Sequence, residues 1–279
     1  MVRSLLTQKT SPLESIKFDE VEMLENLNRK ILKGQLESSQ TAPSPEIQCY
    51  YQESKIKNSI SLIIFPGGAY HHLAVHEGEG YAKYFSNLGF TCFVVNYRLA
   101  LQGFKHPAML EDALSAIYII RKNAQDLGID PNKIGVIGSS AGGHLAAHVL
   151  VNQLTYQNNI SLKPNFGVLC YLVIFMDVEK YCNLGSRINL IGENPSLQVI
   201  EEVTIINKVT PQTPPCFLWH TTEDNPVPVE NSILFAAELS KHKVPFELHI
   251  YQKGKHGLGI NENLQWMSPC LRWIHELNF

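Results

Sequence analysis

Short apolar runs alternate with longer amphipathic segments from Ile47 to the C-terminus, and this alternation constrains the fold more than any other feature. The runs are predicted strands: "SLIIF", "TCFVVNY", "KIGVIG", "FGVLCYLVIF", "PPCFLWH" and "PFELHIYQ". Most of them lack the alternation of polar and apolar residues that a one-sided sheet shows. An earlier run, "IQCYYQ", alternates as a half-exposed strand does. Helical patterns lie between the strands, and a last one, "NENLQWMSPCLRWIHEL", ends the chain. The pattern predicts an α/β fold with a mostly parallel sheet and helices on both faces.

The sequence divides into a peripheral segment, residues 1–45, and one domain, residues 46–279. "FDEVEMLENLNRKILKG" has apolar residues at helical spacing, which predicts a helix ended by Gly34, and "ESSQTAPSPE" is a proline-punctuated linker. Within the domain, a segment at about 176–213 has no clear strand and one short helix, predicted to begin at the Asn-Pro of "GENPSLQVIEE". We expect this insertion to cover the carboxyl edge of the sheet, where such folds bind ligands.

Charge and hydropathy exclude several classes of partner. A net charge of -3 and a pI of about 6.4 give no electrostatic reason to expect nucleic acid or an anionic membrane. No apolar run approaches the ~18 residues that a membrane-spanning helix needs. The N-terminus does not resemble a signal peptide and the 6 cysteines form no CxxC pair, so we expect reduced thiols and a cytoplasmic protein. The sequence leaves open whether the chain forms a homo-oligomer.

The stretch "VIGSSAGGHLA" holds two adjacent serines among glycines, directly after a predicted strand. A Walker phosphate loop requires Lys-Ser/Thr after its last glycine, and here His144 follows. No register provides GxGxxG either. GxSxG fits in one register, with Ser140 at its centre, and its small residues let a strand and a helix pass close to a strained turn. Ser140 is therefore the predicted nucleophile, with Ser139 a small residue at the strand end.

A serine nucleophile needs a general base and an acid that orients it. In folds of this kind the chain order is serine, acid, histidine. Asp224 lies in the turn after "PPCFLWH", with Glu223 and Asp177 as rival acids, and His256 lies in the glycine-rich loop "KGKHGLG" after the last strand. His220, which ends the strand before the acid, is expected to support it.

The tetrahedral intermediate requires an oxyanion hole made by backbone N–H groups. One donor should follow the nucleophile directly, at Ala141. The turn "FPGGAY" after an early strand is predicted to provide the others, from Gly68 and Ala69.

No cofactor is required by this set of residues. His71, His72 and His76 cluster in sequence, but no acidic or cysteine ligand lies at a familiar zinc spacing, so we interpret them as surface histidines. The sequence therefore predicts neither a metal nor an organic cofactor.

Five motifs in this order resemble α/β-hydrolase esterases of the acetyl-xylan-esterase and feruloyl-esterase-like group, often described as sugar hydrolases or lipase-like esterases: "FPGGAY", "FVVNYRL", "GSSAGGHLA", "FLWHTTEDNPVPVENS" and "KGKHGLG". The resemblance implies an eight-stranded, mostly parallel sheet and a triad of Ser140, Asp224 and His256. Pro66 and Ala69 stand where related HGGG turns have histidine and a third glycine. "YLVIF" replaces the expected proline-bearing strand end, with consequences for the pocket near Phe175.

The sequence and the resemblance together predict a serine carboxylesterase that hydrolyses short acyl esters, acetyl esters above all, of sugars or oligosaccharides. Alternatives are a prolyl-oligopeptidase-type peptidase, for which 45 N-terminal residues are too few to form the usual gating domain, a lipase-like esterase of small non-sugar esters, and a catalytically silent binding protein. A long-chain lipase is expected to have a broader apolar lid than 176–213. Substrate contacts are predicted from Tyr70, His71 and His72 for a sugar ring, and from the insertion for hydroxyl groups: Asn183, Ser186, Arg187 and Asn189.

Overall fold

The computed structural model describes residues 45–51, 59–153, 156–157, 159–178, 181–260 and 265–279. The helix predicted over 18–34 and the linker up to residue 44 lie outside these residues.

A seven-stranded sheet forms the centre of the described domain. Its strands are β1 (Glu46–Tyr50), β2 (Ser61–Phe65), β3 (Thr91–Asn96), β4 (Ile134–Ser139), β7 (Phe166–Cys170), β8 (Cys216–Thr221) and β9 (Phe246–Tyr251). The short β5 (Tyr156–Gln157) and β6 (Ile160–Ser161) lie outside it. The sheet order is β1-β3-β2-β4-β7-β8-β9, and all neighbours are parallel except β1, which runs antiparallel to β3. The described residues thus contribute to this sheet one strand fewer than the eight implied by the resemblance.

Helices cover both faces of this sheet, as predicted. α1 (Val75–Asn87) and α7 (Met267–Glu276) pack on one face, where Tyr81, Phe85 and Trp273 join the core. α2 (Ala108–Lys122), α3 (Ala141–Val151) and α6 (Glu230–Lys241) contribute to the core on the opposite face.

The uninterrupted apolar strands follow from this double coverage. Along β2, Leu62 and Ile64 face the core beside α1, whereas Ile63 and Phe65 face the core beside α3. Because successive side chains of a strand point to opposite faces, both sets must be apolar when both faces are buried. The run "FGVLCYLVIF" forms a shorter strand than predicted, since β7 ends at Cys170 and Tyr171 turns into a positive φ of 35°.

The insertion at 176–213 contains more helix than the sequence predicts. α4 (Leu184–Ile191) begins after Asn183, whose side chain accepts a hydrogen bond from the Ser186 N–H, and α5 (Leu197–Val203) begins after Ser196 rather than at the Asn-Pro pair. A 3₁₀ turn at Ile205–Lys208 follows. Two short strands, β5 (Tyr156–Gln157) and β6 (Ile160–Ser161), also pair as an unpredicted hairpin. All of these segments are shorter than the window of about 11 residues over which apolar periodicity identifies a helix or strand from sequence.

Candidate active site

Ser140 occupies the sharp turn between β4 and α3. Its backbone angles, φ 54° and ψ −119°, lie in a region that non-glycine residues rarely adopt. The Ser140 N–H donates to the carbonyl of Cys170 at 3.0 Å, and its own carbonyl accepts from the amides of His144 and Val173. Hydrogen bonds from two neighbouring elements therefore hold the strained turn in place.

The glycines of the GxSxG motif are required by close backbone contacts. A Cβ on Gly138 would collide with the carbonyl of Gly142, and a Cβ on Gly142 would collide with the carbonyl oxygen of Phe65. Ser139 is fully buried, and its hydroxyl shares a 2.8 Å hydrogen bond with the Tyr81 hydroxyl. Of the two serines, only Ser140 is directed toward the edge where the predicted base lies.

His256 and Asp224 meet Ser140 at this edge. The Ser140 Oγ lies 2.8 Å from His256 Nε2, and His256 Nδ1 lies 2.7 Å from Asp224 Oδ2. Because an ionised carboxylate only accepts, Nδ1–H donates to it, and Nε2 is left to accept the serine proton. The structure thus brings the three predicted residues into one unbroken relay. The side chain of His256 is 22% exposed and that of Asp224 only 1%.

Buried donors surround Asp224. Burial by itself raises the pKa of the carboxyl, but hydrogen bonds from His220 and His256 and from the Val227 N–H bring that pKa below its ordinary value of 3.8. His220 is fully buried, donates to Asp224 from Nε2, and contacts the Ser232 hydroxyl through Nδ1 at 2.7 Å. His220 therefore contacts the acid, as expected. Glu223 instead accepts from the Gly254 N–H at the surface.

The turn of residues 66–72, called the oxyanion turn after its predicted role, follows β2 and lies against Ser140. A Cβ added to Gly67 would be 3.2 Å from the Cβ of Ser140. Gly68 and Ala69 both have positive φ, at 120° and 53°. Among the described residues, the N–H groups of Gly68, Ala69 and Ala141 have no acceptor, so they are available to an oxyanion.

Tyr70 lies in the core rather than on a substrate surface, which corrects one sequence prediction. Its side chain is fully buried, and its hydroxyl is 2.6 Å from His144 Nδ1. His144 Nε2 is 2.8 Å from the carbonyl of Val203. Since a carbonyl only accepts, His144 carries its proton on Nε2 and accepts from Tyr70. The tyrosine thus connects the oxyanion turn to α3 and to the insertion.

Three of the four polar residues predicted to bind substrate hydroxyls bond instead to the backbone of the protein itself. Asn183 caps α4 and donates to the Pro226 carbonyl, Ser186 is fully buried, and Arg187 donates to the Met176 carbonyl at 3.0 Å. Asn189 donates to the Ala69 carbonyl at 2.8 Å. The predictions for Ser186 and Arg187 are wrong, because both side chains are buried, whereas Asn183 and Asn189 are half-buried and each already donates to a backbone carbonyl.

The three clustered histidines do not form a metal site. His71 and His72 are exposed, with ring centroids 6.1 Å apart, and His76 Nε2 donates to the carbonyl of Gly257. Within the described ranges, no group of three or more His, Cys, Asp or Glu side chains is placed to hold a metal ion. Of the contacts predicted for a sugar ring, His71 and His72 therefore reach solvent beside the oxyanion turn.

Sequence reasoning missed two residues at the site, Glu77 and Tyr171. Glu77 is 3% exposed and accepts from the N–H of Gly67, while the Tyr171 hydroxyl donates to it and contacts the loop that carries His256. One signal was available. Glu77 shares the buried face of α1 with Tyr81 and Phe85 at i+4 and i+8, and a carboxyl group on an apolar helix face is unusual.

Comparison with known proteins adds an independent finding. A family model described as BD-FAE matches residues 47–239, which is more than half of the chain and includes Ser140 and Asp224. The chain belongs to the BD-FAE family. This membership confirms the resemblance to α/β-hydrolase esterases that the five motifs indicate.

Two curated proteins similar to this BD-FAE member are named for xylan chemistry. Endo-1,4-beta-xylanase B of Butyrivibrio fibrisolvens is 36% identical over 77% of this chain, and an acetylxylan esterase of Xylanibacter ruminicola is 32% identical over 83%. The match covers 35% and 48% of those proteins, so the chain spans about a third to a half of the curated relatives.

A solved structure resembles this BD-FAE member over most of its length. The acetyl ester-xyloside bifunctional hydrolase of Caldicellulosiruptor lactoaceticus is 40% identical, with a TM-score of 0.76 over 88% of this chain and 92% of that one. The predicted fold class is therefore confirmed. In the part of the chain that the structure describes, no helix is both long and apolar enough to cross a membrane.

Proposed function

We propose that this BD-FAE member is a serine carboxylesterase that hydrolyses short acyl esters through an acyl-enzyme intermediate. The proposal rests on the relay from Ser140 through His256 to Asp224, with distances of 2.8 and 2.7 Å. Motif type and chain order predict the same three residues, and the relatives of the chain include esterases.

In the proposed acylation step, His256 Nε2 accepts the hydroxyl proton while the Ser140 Oγ attacks the ester carbonyl carbon. The carbonyl oxygen becomes an oxyanion, which the free N–H groups of Ala141, Gly68 and Ala69 stabilise. The imidazolium is stabilised by Asp224. When the tetrahedral intermediate collapses, the C–O bond to the alcohol breaks, and His256 gives its proton to the leaving alkoxide oxygen.

In the proposed deacylation step, water takes the place of the alcohol. His256 accepts a proton from the water, whose oxygen attacks the acyl carbon, and the same N–H groups bind the second oxyanion. The proton returns to the Oγ of Ser140 as the carboxylic acid leaves. Every proton in this cycle moves through His256 Nε2. Only Ser140 and His256 form or break bonds, while Asp224 and the backbone N–H groups stabilise charge.

The proposed substrates are acetyl esters of sugars or oligosaccharides. Support for the sugar comes from the relatives, which are named for acetylxylan and xyloside hydrolysis. Support for the short acyl group comes from the insertion, which is smaller and less apolar than the lid expected of a long-chain lipase. Leu184 and Leu197 on that insertion are 55% and 84% exposed. These exposed apolar side chains are the observation that favours the lipase-like alternative, which the ester panel below tests.

The nucleophile is tested with Ser140→Ala and its neighbour Ser139→Ala. We expect Ser140→Ala to lose on the order of 10⁶ in turnover of p-nitrophenyl acetate and to lose labelling by a fluorophosphonate probe. Ser139→Ala is the matched control, because its buried hydroxyl bonds to Tyr81 rather than to His256, and it should keep labelling. Inactivation by Ser139→Ala with a harmless Ser140→Ala would contradict the proposal.

The substrate is tested with a panel that separates the alternatives. It contains acetylated xylo-oligosaccharides, feruloyl esters, p-nitrophenyl esters from acetate to octanoate, and an N-acetyl-alanine p-nitroanilide. We expect acetate release from the oligosaccharides and a higher kcat/KM for acetate than for octanoate. Preference for octanoate without acetate release would favour a lipase-like esterase, and cleavage of the anilide would favour a peptidase.

A further inference from the structure

Glu77 stands out among the buried polar groups because its two oxygens bind two different parts of the site. Its Oε2 accepts from the Gly67 N–H at 2.8 Å, and its Oε1 accepts from the Tyr171 hydroxyl at 2.6 Å. The residue is 3% exposed and lies in the first turn of α1. The proposed reaction assigns it no proton transfer.

One oxygen of Glu77 contacts the oxyanion turn. Gly67 directly precedes Gly68 in chain order, and a Cβ added to it would lie 2.7 Å from the Ser139 carbonyl oxygen. Gly67 is therefore pressed between α1 and the nucleophile turn. The hydrogen bond from its N–H to Glu77 fixes the peptide from which the turn starts.

The other oxygen reaches the loop that carries His256, through Tyr171. The Tyr171 hydroxyl donates to Glu77 and accepts from the Gly259 N–H at 3.0 Å. Burial, together with neighbouring Glu77, raises the pKa of Tyr171 well above 10, so the hydroxyl keeps its proton and donates. The Tyr171 ring also packs edge-on against the His256 ring, with centroids 5.2 Å apart.

A buried carboxyl group is costly unless its oxygens are hydrogen-bonded. Glu77 meets this need almost entirely with neutral donors from the two catalytic segments. The nearest positively chargeable group in the described residues is His76, with its Nε2 3.7 Å from Glu77 Oε1 and its own side chain 57% exposed. His76 Nε2 also donates to the Gly257 carbonyl, on the same loop as His256. A purely structural helix position would be occupied by an apolar side chain at far lower cost.

We propose that Glu77 is a positioning residue that holds the oxyanion turn and the His256 loop in register, with Tyr171 as the connection on the histidine side. The inference deepens the proposed esterase function and rests on it for its catalytic consequence. Oxyanion donors and the base must be correctly placed at the same moment, and a misplacement of about 1 Å costs roughly 10²-fold in rate.

Because of these contacts, loss of Glu77 and loss of the Tyr171 hydroxyl are expected to have different effects. Glu77 binds Gly67 directly, whereas the hydroxyl of Tyr171 reaches the oxyanion turn only through Glu77 and bonds directly to Gly259 on the histidine loop. Loss of the carboxyl group should loosen both segments, and loss of the tyrosine hydroxyl should loosen only the histidine loop. Hydrogen–deuterium exchange of the peptides that contain Gly67 and Gly259 reads this directly.

The variants are Glu77→Gln, which conserves volume, and Tyr171→Phe, which removes one oxygen atom. A carboxamide has one acceptor oxygen where the carboxylate has two, so the N–H of Gly67 and the hydroxyl of Tyr171 compete for it. Glu79→Gln is the matched control, because Glu79 lies on the same helix and its carboxyl pairs with Lys83 at the surface.

We expect faster exchange in both peptides for Glu77→Gln, in the Gly259 peptide alone for Tyr171→Phe, and in neither for Glu79→Gln. With p-nitrophenyl acetate, Glu77→Gln should lower kcat by about tenfold to a hundredfold at nearly constant KM. Unchanged exchange of both peptides in Glu77→Gln, or equal loosening of both in Tyr171→Phe, would overturn the proposal. Because exchange does not require turnover, an inactive parent protein would refute the esterase function and leave this test intact.

Discussion

Acid should destabilise this protein through its buried histidines, with His144 as the best-defined group. His144 is fully buried, and its Nδ1 accepts from Tyr70 while its Nε2–H donates to Val203. A second proton on Nδ1 would displace the hydrogen bond that the Tyr70 hydroxyl now donates to it. Burial above all, with a smaller contribution from neighbouring His106 and against the opposing effect of the hydrogen bond to Val203, lowers the pKa of His144 from 6.5 to about 4.

The sign and size of the effect follow from linkage. The unfolded chain takes up the His144 proton near pH 6.5 and the folded chain near pH 4, so stability is fully present above pH 6.5 and is lost as the pH falls toward 4. At about 1.4 kcal/mol per pKa unit, His144 contributes a loss of about 3 kcal/mol. Burial also lowers the pKa of His148 well below 6.5, together with His144, His106 and Lys208 nearby, which steepens the slope.

Urea denaturation followed by tryptophan fluorescence between pH 7.5 and 4.5 measures this slope. His144→Gln should reduce it by about 1.4 kcal/mol per pH unit, because a glutamine amide can keep both hydrogen bonds but binds no proton. His275→Gln, which removes an exposed imidazole from α7, is the matched control. Asp224 does not interfere, since the stability linked to its lowered pKa is lost only below pH 3.8. Parallel curves for His144→Gln and the parent would refute the reasoning.

Three further predictions concern the site. His256→Ala and Asp224→Asn should each lose about 10⁴-fold or more in kcat. The double variant should be barely worse than His256→Ala, because the triad acts as a unit. A double variant whose loss of kcat in steady-state kinetics equals the product of the two single losses would contradict a shared mechanism. Asn189→Ala should lower kcat about tenfold at constant KM, since Ala69 loses its donor, whereas Ser196→Ala on the same insertion should not. Activity should survive a chelator, and loss that zinc restores would contradict the cofactor-free proposal.

The architecture and the triad geometry were accessible from sequence for one physical reason. Parallel strands place their carboxyl ends at a single edge, so residues that follow β4, β8 and β9 must meet there. Ser140, Asp224 and His256 each follow one of those strands. Their type and order therefore predicted a relay that the chain closes over 116 residues between the serine and the histidine.

Residues outside such strand-end turns could not be assigned in the same way. Asn189 and Arg187 are polar residues in a loop-like segment, and sequence patterns do not show that the carbonyls of Ala69 and Met176 would need them as donors. The burial of Tyr70 cannot be predicted in this way, because it depends on Tyr97 and on His144 of α3, which are distant in sequence. Hydrogen-bond partners set by tertiary contact carry no periodicity to detect.

The contacts between the insertion and the oxyanion turn limit how this enzyme scaffold can be rebuilt. Asn189 donates a hydrogen bond to the Ala69 carbonyl. The Val203 carbonyl accepts one from His144 Nε2–H, and His144 Nδ1 accepts one from the Tyr70 hydroxyl. Replacement of residues 176–213 by the lid of another hydrolase therefore also removes two contacts that support the oxyanion turn, those from Asn189 and from Val203. Such a chimera should recover turnover only if the donor segment brings its own equivalent of Asn189 and a carbonyl for His144.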